Sequence, residues 1–480
     1  MKKDKPRTEQ IICRKQRCSR RDFLKSLGLG AVTLAIQGCE STSELISDKA
    51  SKDRPNIIFI LADDLGFTEL GCYGNNFNET PNLDKIADRG TMFTNAYASA
   101  PVCSPYRAAL MTGQYPARVG ITDYLRPNDP KHLSTDHITI AEMLKRAGYA
   151  TGIIGKWHLT GYANHDAKEV PPTQHGFDEA IVSENRGIGG GSYFHPYHFN
   201  EEINKRLPGK EYLVDRCNLE AVEFIERHKD GPFFLYLSHY AVHTRLQGKD
   251  ELVAKYEKKP GTGIGNKAPR NNPHLAAQLE SIDDGVGMIM DKLDELGLVE
   301  NTVLIFTSDN GGEDRVTSNA PLRAGKSTLY EGGIREPLII RWPKVLKPGS
   351  VCNRPTSNID FYPTLLHVAG LRPDPRQHLD GVSILPLLKN PGTELDRNTL
   401  YWHYPLKKPH FLGGRSAGAI RQGDFKLIEF FDNGEVELYN LTEDISEKHN
   451  LVGELPEKAA ELKKRLTEWR RDVGIRLPTG

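Results

Sequence analysis

Cysteine is scarce in this chain of 480 residues: there are seven, and only Cys72, Cys103, Cys217 and Cys352 fall after the first 39 positions. Four scattered thiols make neither a disulfide framework nor a metal-binding cluster, and a chain of this length needs no such staple to bury a core. Long apolar helices are missing too. The uncharged stretch Ser26–Cys39 is too short to span a bilayer, and a mean hydropathy of −0.51 is a poor fit to a polytopic membrane protein. Nor is there an excess of either charge: 63 Lys+Arg balance 63 Asp+Glu, which argues against a nucleic-acid partner, since that would need a basic surface. Glycine and proline, 44 and 30, stand at ordinary levels, so collagen and disorder are excluded. No internal repeat or low-complexity tract is visible.

The zero net charge hides a split. Residues 1–25 carry ten basic and three acidic side chains, a net +7, so the rest of the chain is −7. This basic stretch runs into Ser26–Cys39, which has the length and composition of a signal-peptide core. Ser19-Arg20-Arg21-Asp22-Phe23-Leu24-Lys25 matches the twin-arginine export pattern directly ahead of that core. The expectation is export by the twin-arginine translocation machinery, to the periplasm or the cell surface. Ile36-Gln37-Gly38-Cys39 resembles a bacterial lipoprotein cleavage box, with Cys39 as the lipid anchor and Gln37 as a departure; cleavage without a lipid stays open.

The expected organisation is a signal over 1–39, a polar linker over 40–54, a catalytic domain over 55–385 and a smaller α+β domain over 386–480. From Pro55 onward, short apolar runs alternate with helical stretches, the pattern of an α/β fold with a mostly parallel sheet between helices. Strands are predicted at 56–61, 150–154, 232–237, 302–307 and 337–341. Helices are predicted at 80–89, 139–147, 219–228, 276–296 and 359–369. Leu275, Leu279, Ile282, Val286, Ile289, Leu293 and Leu296 recur at helical spacing and make the long helix the clearest. Beyond residue 391 come short strand-like pieces at 399–403, 417–421, 425–430 and 435–440, then a charged helix over 455–473. These read as a smaller antiparallel sheet closed by a terminal helix.

Ligands of open α/β sheets bind at the carboxyl ends of strands. Two predicted strands end in acids, at Asp63-Asp64 and at Asp309-Asn310. Three carboxylates and an amide meeting at one point repel one another unless a cation lies between them, and an all-oxygen set suits Ca²⁺ or Mg²⁺. Taken alone, such pairs are more often a helix cap or a turn. Cys103, ahead of a helix and one turn before Arg107, sits where an anion would bind.

The stretch Pro101-Val102-Cys103-Ser104-Pro105-Tyr106-Arg107, with Met111-Thr112-Gly113, resembles the signature of the sulfatase family, in the alkaline-phosphatase-like superfamily. Cys103, Pro105, Arg107 and the Met-Thr-Gly tail match; Tyr106 stands where the family usually has a small residue. Further matches run from Pro55-Asn56-Ile57-Ile58 to Leu438-Tyr439-Asn440-Leu441, through Gly155-Lys156-Trp157-His158, His239-Tyr240-Ala241-Val242-His243, Ser308 to Gly312, and Lys326. The resemblance implies that a formylglycine-generating enzyme converts Cys103 to formylglycine, whose hydrated aldehyde is the nucleophile. It implies metal ligation, usually of Ca²⁺, by Asp63, Asp64, Asp309, Asn310 and the converted Cys103. Arg107, Lys156, His158, His243 and Lys326 match the family's polar pocket.

A sulfate ester is anionic, so the nucleophile is repelled until positive charge neutralises the sulfuryl oxygens; Arg107, Lys156, Lys326 and the metal would supply it. His243, or else Lys326, would protonate the leaving oxygen, and His158 would take the proton that lets sulfate depart. The implied substrate is a sulfated carbohydrate or a small sulfate ester. Two alternatives stay open: a phosphatase or phosphonate monoester hydrolase of the same superfamily, and an inactive glycan-binding protein in which Tyr106 blocks conversion. The glycine run 187–191 is expected to form a loop at the site. His195-Pro196-Tyr197-His198, Trp402-His403 and residues 410–415 could face a sugar or could serve packing.

Overall fold

The computed structural model describes residues 54–127, 129–161, 170–185 and 191–475. The expected export signal, Cys39, most of the 40–54 linker and residues 187–190 of the glycine run lie outside the described residues. No helix among those described is long and apolar enough to cross a membrane.

The main sheet has nine strands: β1 (Asn56–Ala62), β2 (Thr91–Tyr97), β3 (Ala150–Gly155), β4 (Glu179–Ile181), β5 (Phe233–Ser238), β6 (Thr302–Ser308), β7 (Arg335–Arg341), β8 (Ser350–Cys352) and β9 (Thr356–Ser357). Their order is β4-β3-β5-β1-β6-β7-β2-β8, with β9 also paired to β2. All neighbours run parallel except β7, which is antiparallel to both β6 and β2. The sheet is therefore mixed and mostly parallel, as expected. Five predicted strands recur as β1, β3, β5, β6 and β7, four of them longer by a residue or two and β5 shifted by one. The sequence reading missed β2, whose apolar residues are interrupted midway by Thr94 and Asn95.

Both faces of the sheet are covered, and β1 shows how. Ile57, Phe59 and Leu61 enter one core with Tyr106, Leu110 and Met111, while Ile58, Ile60 and Ala62 enter the other with Leu279, Ile282 and Val286. This period of two is what a strand with two buried faces imposes, and each buried Ile, Leu or Phe contributes about 1.5–3 kcal/mol. Helices Cys103–Thr112, Ile140–Arg146 and Phe361–Val368 lie on the first side; Pro81–Asp88, Leu213–Arg227 and Pro273–Glu295 lie on the second. The long helix starts where its cap dictates: Asn272 accepts from the N–H groups of His274 and Leu275, and Pro273 occupies the first turn.

The second sheet is antiparallel: β10 (Thr399–Tyr404), β11 (Ala417–Gln422), β12 (Phe425–Phe430) and β13 (Val436–Asn440), in that order. The helix Pro456–Asp472 closes it, stacking Trp469 on Tyr401 at 4.9 Å between ring centres. Where this sheet meets the main one, fully buried charges are paired. Lys426 Nζ lies 2.9 Å from both Glu331 and Glu447, and Glu331 also accepts from the Tyr97 hydroxyl and pairs with Arg335. Burial alone would push Glu331 up, yet Lys426, Arg335 and Arg421 hold its carboxyl near 2. Removing one partner of such a set strands the others away from water. Lys426→Ala should therefore lower the unfolding free energy in a denaturant titration by about 3–5 kcal/mol. A loss below about 1 kcal/mol would contradict this account of the junction.

Candidate active site

The strand register explains why the predicted site residues meet. In the parallel pairing, Leu61 lies opposite Ser238 on one side and Thr307 on the other, and Gly155 lies opposite Ser238. The residues following β3, β5, β1 and β6 thus emerge side by side, giving Lys156, His239, Asp63-Asp64 and Asp309-Asn310 at one edge. Backbone bonds extend this alignment past the strands: His239 N–H donates to Leu61 O, and Val242 N–H to Asp63 O. The helix Cys103–Thr112 brings Cys103 in at its first turn, with Arg107 one turn deeper. Two non-glycine residues here, Asp64 and His158, have φ of 62° and 54°, a conformation that costs energy and persists only where surroundings impose it.

At the centre, one ligand atom each from Asp63, Asp64, Cys103 and Asp309 lies within 4.8 Å of the others, all four residues buried. Asn310 joins them by donating from Nδ2 to Asp64 Oδ1 at 2.8 Å. Every carboxylate has a cation against it. Lys156 Nζ bonds Asp63 Oδ2, Lys326 Nζ bonds Asp64 Oδ2 at 2.6 Å, and Arg107 bonds Asp309 Oδ2 at 2.9 Å. Arg107 also donates to Ser238 Oγ and Lys156 O, which fixes its guanidinium plane. His243 Nε2 is 3.6 Å from Asp64 Oδ2, and its Nδ1 is 2.5 Å from Thr244 O.

Burial raises the Asp63 and Asp64 carboxyls, but Lys156 and His243 for Asp63, and Lys326 and His243 for Asp64, outweigh it and hold both below the usual range. Asp309 ends on the other side: burial and the Asp63 charge push it up against Arg107 and Lys156. Neighbouring carboxylates that repel one another separate in this way. Burial, followed by Asp63, pushes the Cys103 thiol far up, so as cysteine it is a protonated, poor nucleophile.

The donor set fits a hard divalent cation: three carboxylates and an amide oxygen, all buried, with Asn310 Oδ1 lacking any hydrogen-bond partner. Asp63, Asp64, Asp309 and Asn310 would hold the ion.

His158 stands apart from this centre while lining the same pocket. Burial, then Lys156 and Arg107, drive its imidazole well below the usual histidine range, so it is neutral. Its Nε2 is 2.9 Å from Leu125 O and its Nδ1 has no partner; an Nε2–H donating to that carbonyl leaves Nδ1 as a free proton acceptor. All of the predicted site residues are therefore brought together. Of the segments suspected of facing a sugar, His410 meets the edge of Tyr124 in the pocket wall. Trp402 is instead buried and donates to Ala98 O, His403 packs on Phe431, and Tyr197 donates to Glu211. Cys217 and Cys352 are buried free thiols, as expected.

Sequence reading missed Glu184, whose carboxylate receives the backbone N–H groups of Trp157 and His158 and the Tyr240 hydroxyl. It is an isolated acid in a loop, and no spacing marks it. Ser238 was also missed, although its place as the last residue of β5 was a usable signal.

The pocket itself is a cavity of about 250 Å³ lined by Asp63, Lys156, His158 and His243 on its polar side and by Tyr124, Leu125, Tyr193, Phe199 and Tyr240 on its apolar side. A family model described as "Sulfatase" matches residues 55–371. The chain belongs to the sulfatase family. A second model, "N-sulphoglucosamine sulphohydrolase, C-terminal", matches residues 324–472 of this sulfatase. Human arylsulfatase A is 34% identical, over 83% of each chain, and a sulfatase of Formosa agariphila is 32% identical, over 88% of this chain and 91% of its own. Among solved structures, Ps i-CgsB superposes with a TM-score of 0.75 at 33% identity, covering 87% of this chain and 92% of that one. A structure of BT4656 with its substrate D-glucosamine-2-N,6-O-disulfate gives 0.67 at 26%, covering 88% and 98%. This sulfatase is a sulfuric ester hydrolase with the alkaline-phosphatase-like fold expected from its sequence.

If the four oxygen donors hold an ion, metal must stabilise the fold. After chelation, adding Ca²⁺ should raise the thermal midpoint of the native protein, and Asp309→Ala should abolish that rise while remaining folded by circular dichroism. An undiminished rise in the variant would place the ion elsewhere.

Proposed function

We propose that this sulfatase removes sulfate from sulfated carbohydrates, with Cys103 converted to formylglycine and Ca²⁺ held by Asp63, Asp64, Asp309 and Asn310. The observation that carries the reading is the placement of Cys103 at a helix start, its Sγ 3.4 Å from Asp63 Oδ1, among three buried cations. Formylglycine supplies, as its hydrate, a nucleophilic hydroxyl, and the divalent ion supplies positive charge at the sulfuryl oxygens. The chain's own residues do the rest. Arg107, Lys156 and Lys326, buried and already oriented by the carboxylates, balance the charge of the ester and of the transition state without reorganising. His243, held through Nδ1 at Thr244 O, turns Nε2 to the site and gives a proton to the leaving oxygen, with Lys326 as the second candidate. His158, neutral with Nδ1 free, accepts the proton whose removal releases sulfate.

The carbohydrate part of the reading is supported by the apolar wall of Tyr124, Tyr193, Phe199 and Tyr240, which suits a pyranose face. It is supported too by the relatives: Ps i-CgsB was solved with k-i-k-neocarrahexaose, and BT4656 with a disulfated glucosamine. The proposal includes export through the twin-arginine machinery to the periplasm or, with Cys39 lipidated, the cell surface. That route carries folded proteins, so Cys103 would meet the formylglycine-generating enzyme before leaving the cytoplasm. Tyr106 does not occupy the ligand cluster: its ring is buried behind the helix, in the core beside Phe361 and Leu338.

Mass spectrometry of the Cys103 peptide, from a host with the converting enzyme, should show a residue lighter than cysteine. Cys103→Ala should lose turnover of an aryl sulfate by at least about 10³-fold. An unmodified thiol in an active preparation, or an active Cys103→Ala, would overturn the reading.

A further inference from the structure

Besides its tyrosines, five acidic or basic side chains line the active-site pocket: Asp63, Lys156, His158, His243 and Arg245. Four of them have roles above. Arg245 has none, and it makes no ion pair or hydrogen bond among the described residues. The acids within reach of this wall are already engaged. Asp63 is bonded by Lys156 and Asp64 by Lys326. Glu313 accepts from the Thr244 hydroxyl at 2.9 Å and is paired with Arg315.

The backbone that carries Arg245 is nevertheless held firmly. Tyr193 donates its hydroxyl to Tyr240 O and lies 2.9 Å from His243 O, Val242 is tied to Asp63, and Thr244 is tied to Glu313. An exposed guanidinium is thus carried at the pocket wall beside His243 on a firmly held backbone, with its donors unspent. The cations at the floor are used differently: Lys156, Lys326 and Arg107 each face a carboxylate.

We propose that Arg245 is the ligand for a second anionic group of the substrate, a sulfate or a carboxylate carried on the same sugar or on its neighbour. The inference rests on the sulfated-carbohydrate reading and sharpens it to polyanionic glycans over esters of a single charge. A guanidinium presents two parallel N–H donors that match the oxygens of either anion, and at the open end of the pocket it acts on the part of the substrate that is not cleaved. Arg245 is therefore a specificity residue and takes no part in the bond-breaking step.

The test uses anions that do not depend on knowing the sugar. Short alkane disulfonates of graded length and their monosulfonate counterparts compete with an aryl sulfate in steady-state assays on the full enzyme. At least one disulfonate should inhibit the native enzyme about 10- to 100-fold more tightly than its monosulfonate. In Arg245→Ala that ratio should collapse towards one, with Arg245→Lys between the two. The proposal is overturned if no disulfonate is preferred, if the preference survives in Arg245→Ala, or if the variant weakens the monosulfonate as much as the disulfonate. Absence of aryl sulfate turnover would count against the functional reading instead, and calorimetric binding of the same sulfonates would still read the role of Arg245.

Discussion

Everything at this site follows from the cost of putting Asp63, Asp64 and Asp309 together out of water. Three like charges within a few ångströms, in surroundings of low polarity, cannot all ionise on their own. The protein meets that cost with Lys156, Lys326 and Arg107, one against each carboxylate. The same three cations suit an anionic ester, so the charges that make the cluster tolerable also prepare it for a sulfate.

Geometry is supplied by the sheet. Parallel pairing of β1 with β5 and β6, and of β3 with β5, brings four strand ends to one line without any contact designed for that purpose. Cys103 and Arg107 come from elsewhere, on the helix after β2, and Lys326 from the segment between β6 and β7. Asp64 and His158, two of the non-glycine residues with positive φ, turn their side chains into the site. The chain outside residues 1–25 is net acidic, so its attraction for an anionic substrate depends on the few cations gathered here and, at the wall, on Arg245.

Much of this was readable from the sequence, for physical reasons. Strands buried on both faces are short apolar runs that contrast with amphipathic helices, so β1, β3, β5, β6 and β7 announced themselves, as did Pro273–Glu295. Asp63, Asp64, Cys103, Arg107, Lys156, His158, His243, Asp309, Asn310 and Lys326 were legible because they sit in contiguous motifs at the ends of those elements. What stayed hidden lies where a side chain matters through a partner distant in sequence. Glu184 holds the turn at Trp157 and His158 from a loop with no pattern, and the Lys426–Glu331–Glu447 set joins the two sheets across about a hundred residues. Trp402, His403 and Tyr197 show the converse, since aromatic and histidine residues that could have faced a sugar are consumed by packing.

The central claim is that this arrangement is built for sulfuryl transfer, although the fold is shared with enzymes of other esters; the phosphonate monoester hydrolase of Agrobacterium radiobacter superposes with a TM-score of 0.66 at 23% identity. The most direct measurement is kcat/KM on an aryl sulfate and on the matching aryl phosphate with one preparation of Ca²⁺-loaded enzyme. The account predicts a clear preference for the sulfate. A phosphate turned over more efficiently than the sulfate would contradict it.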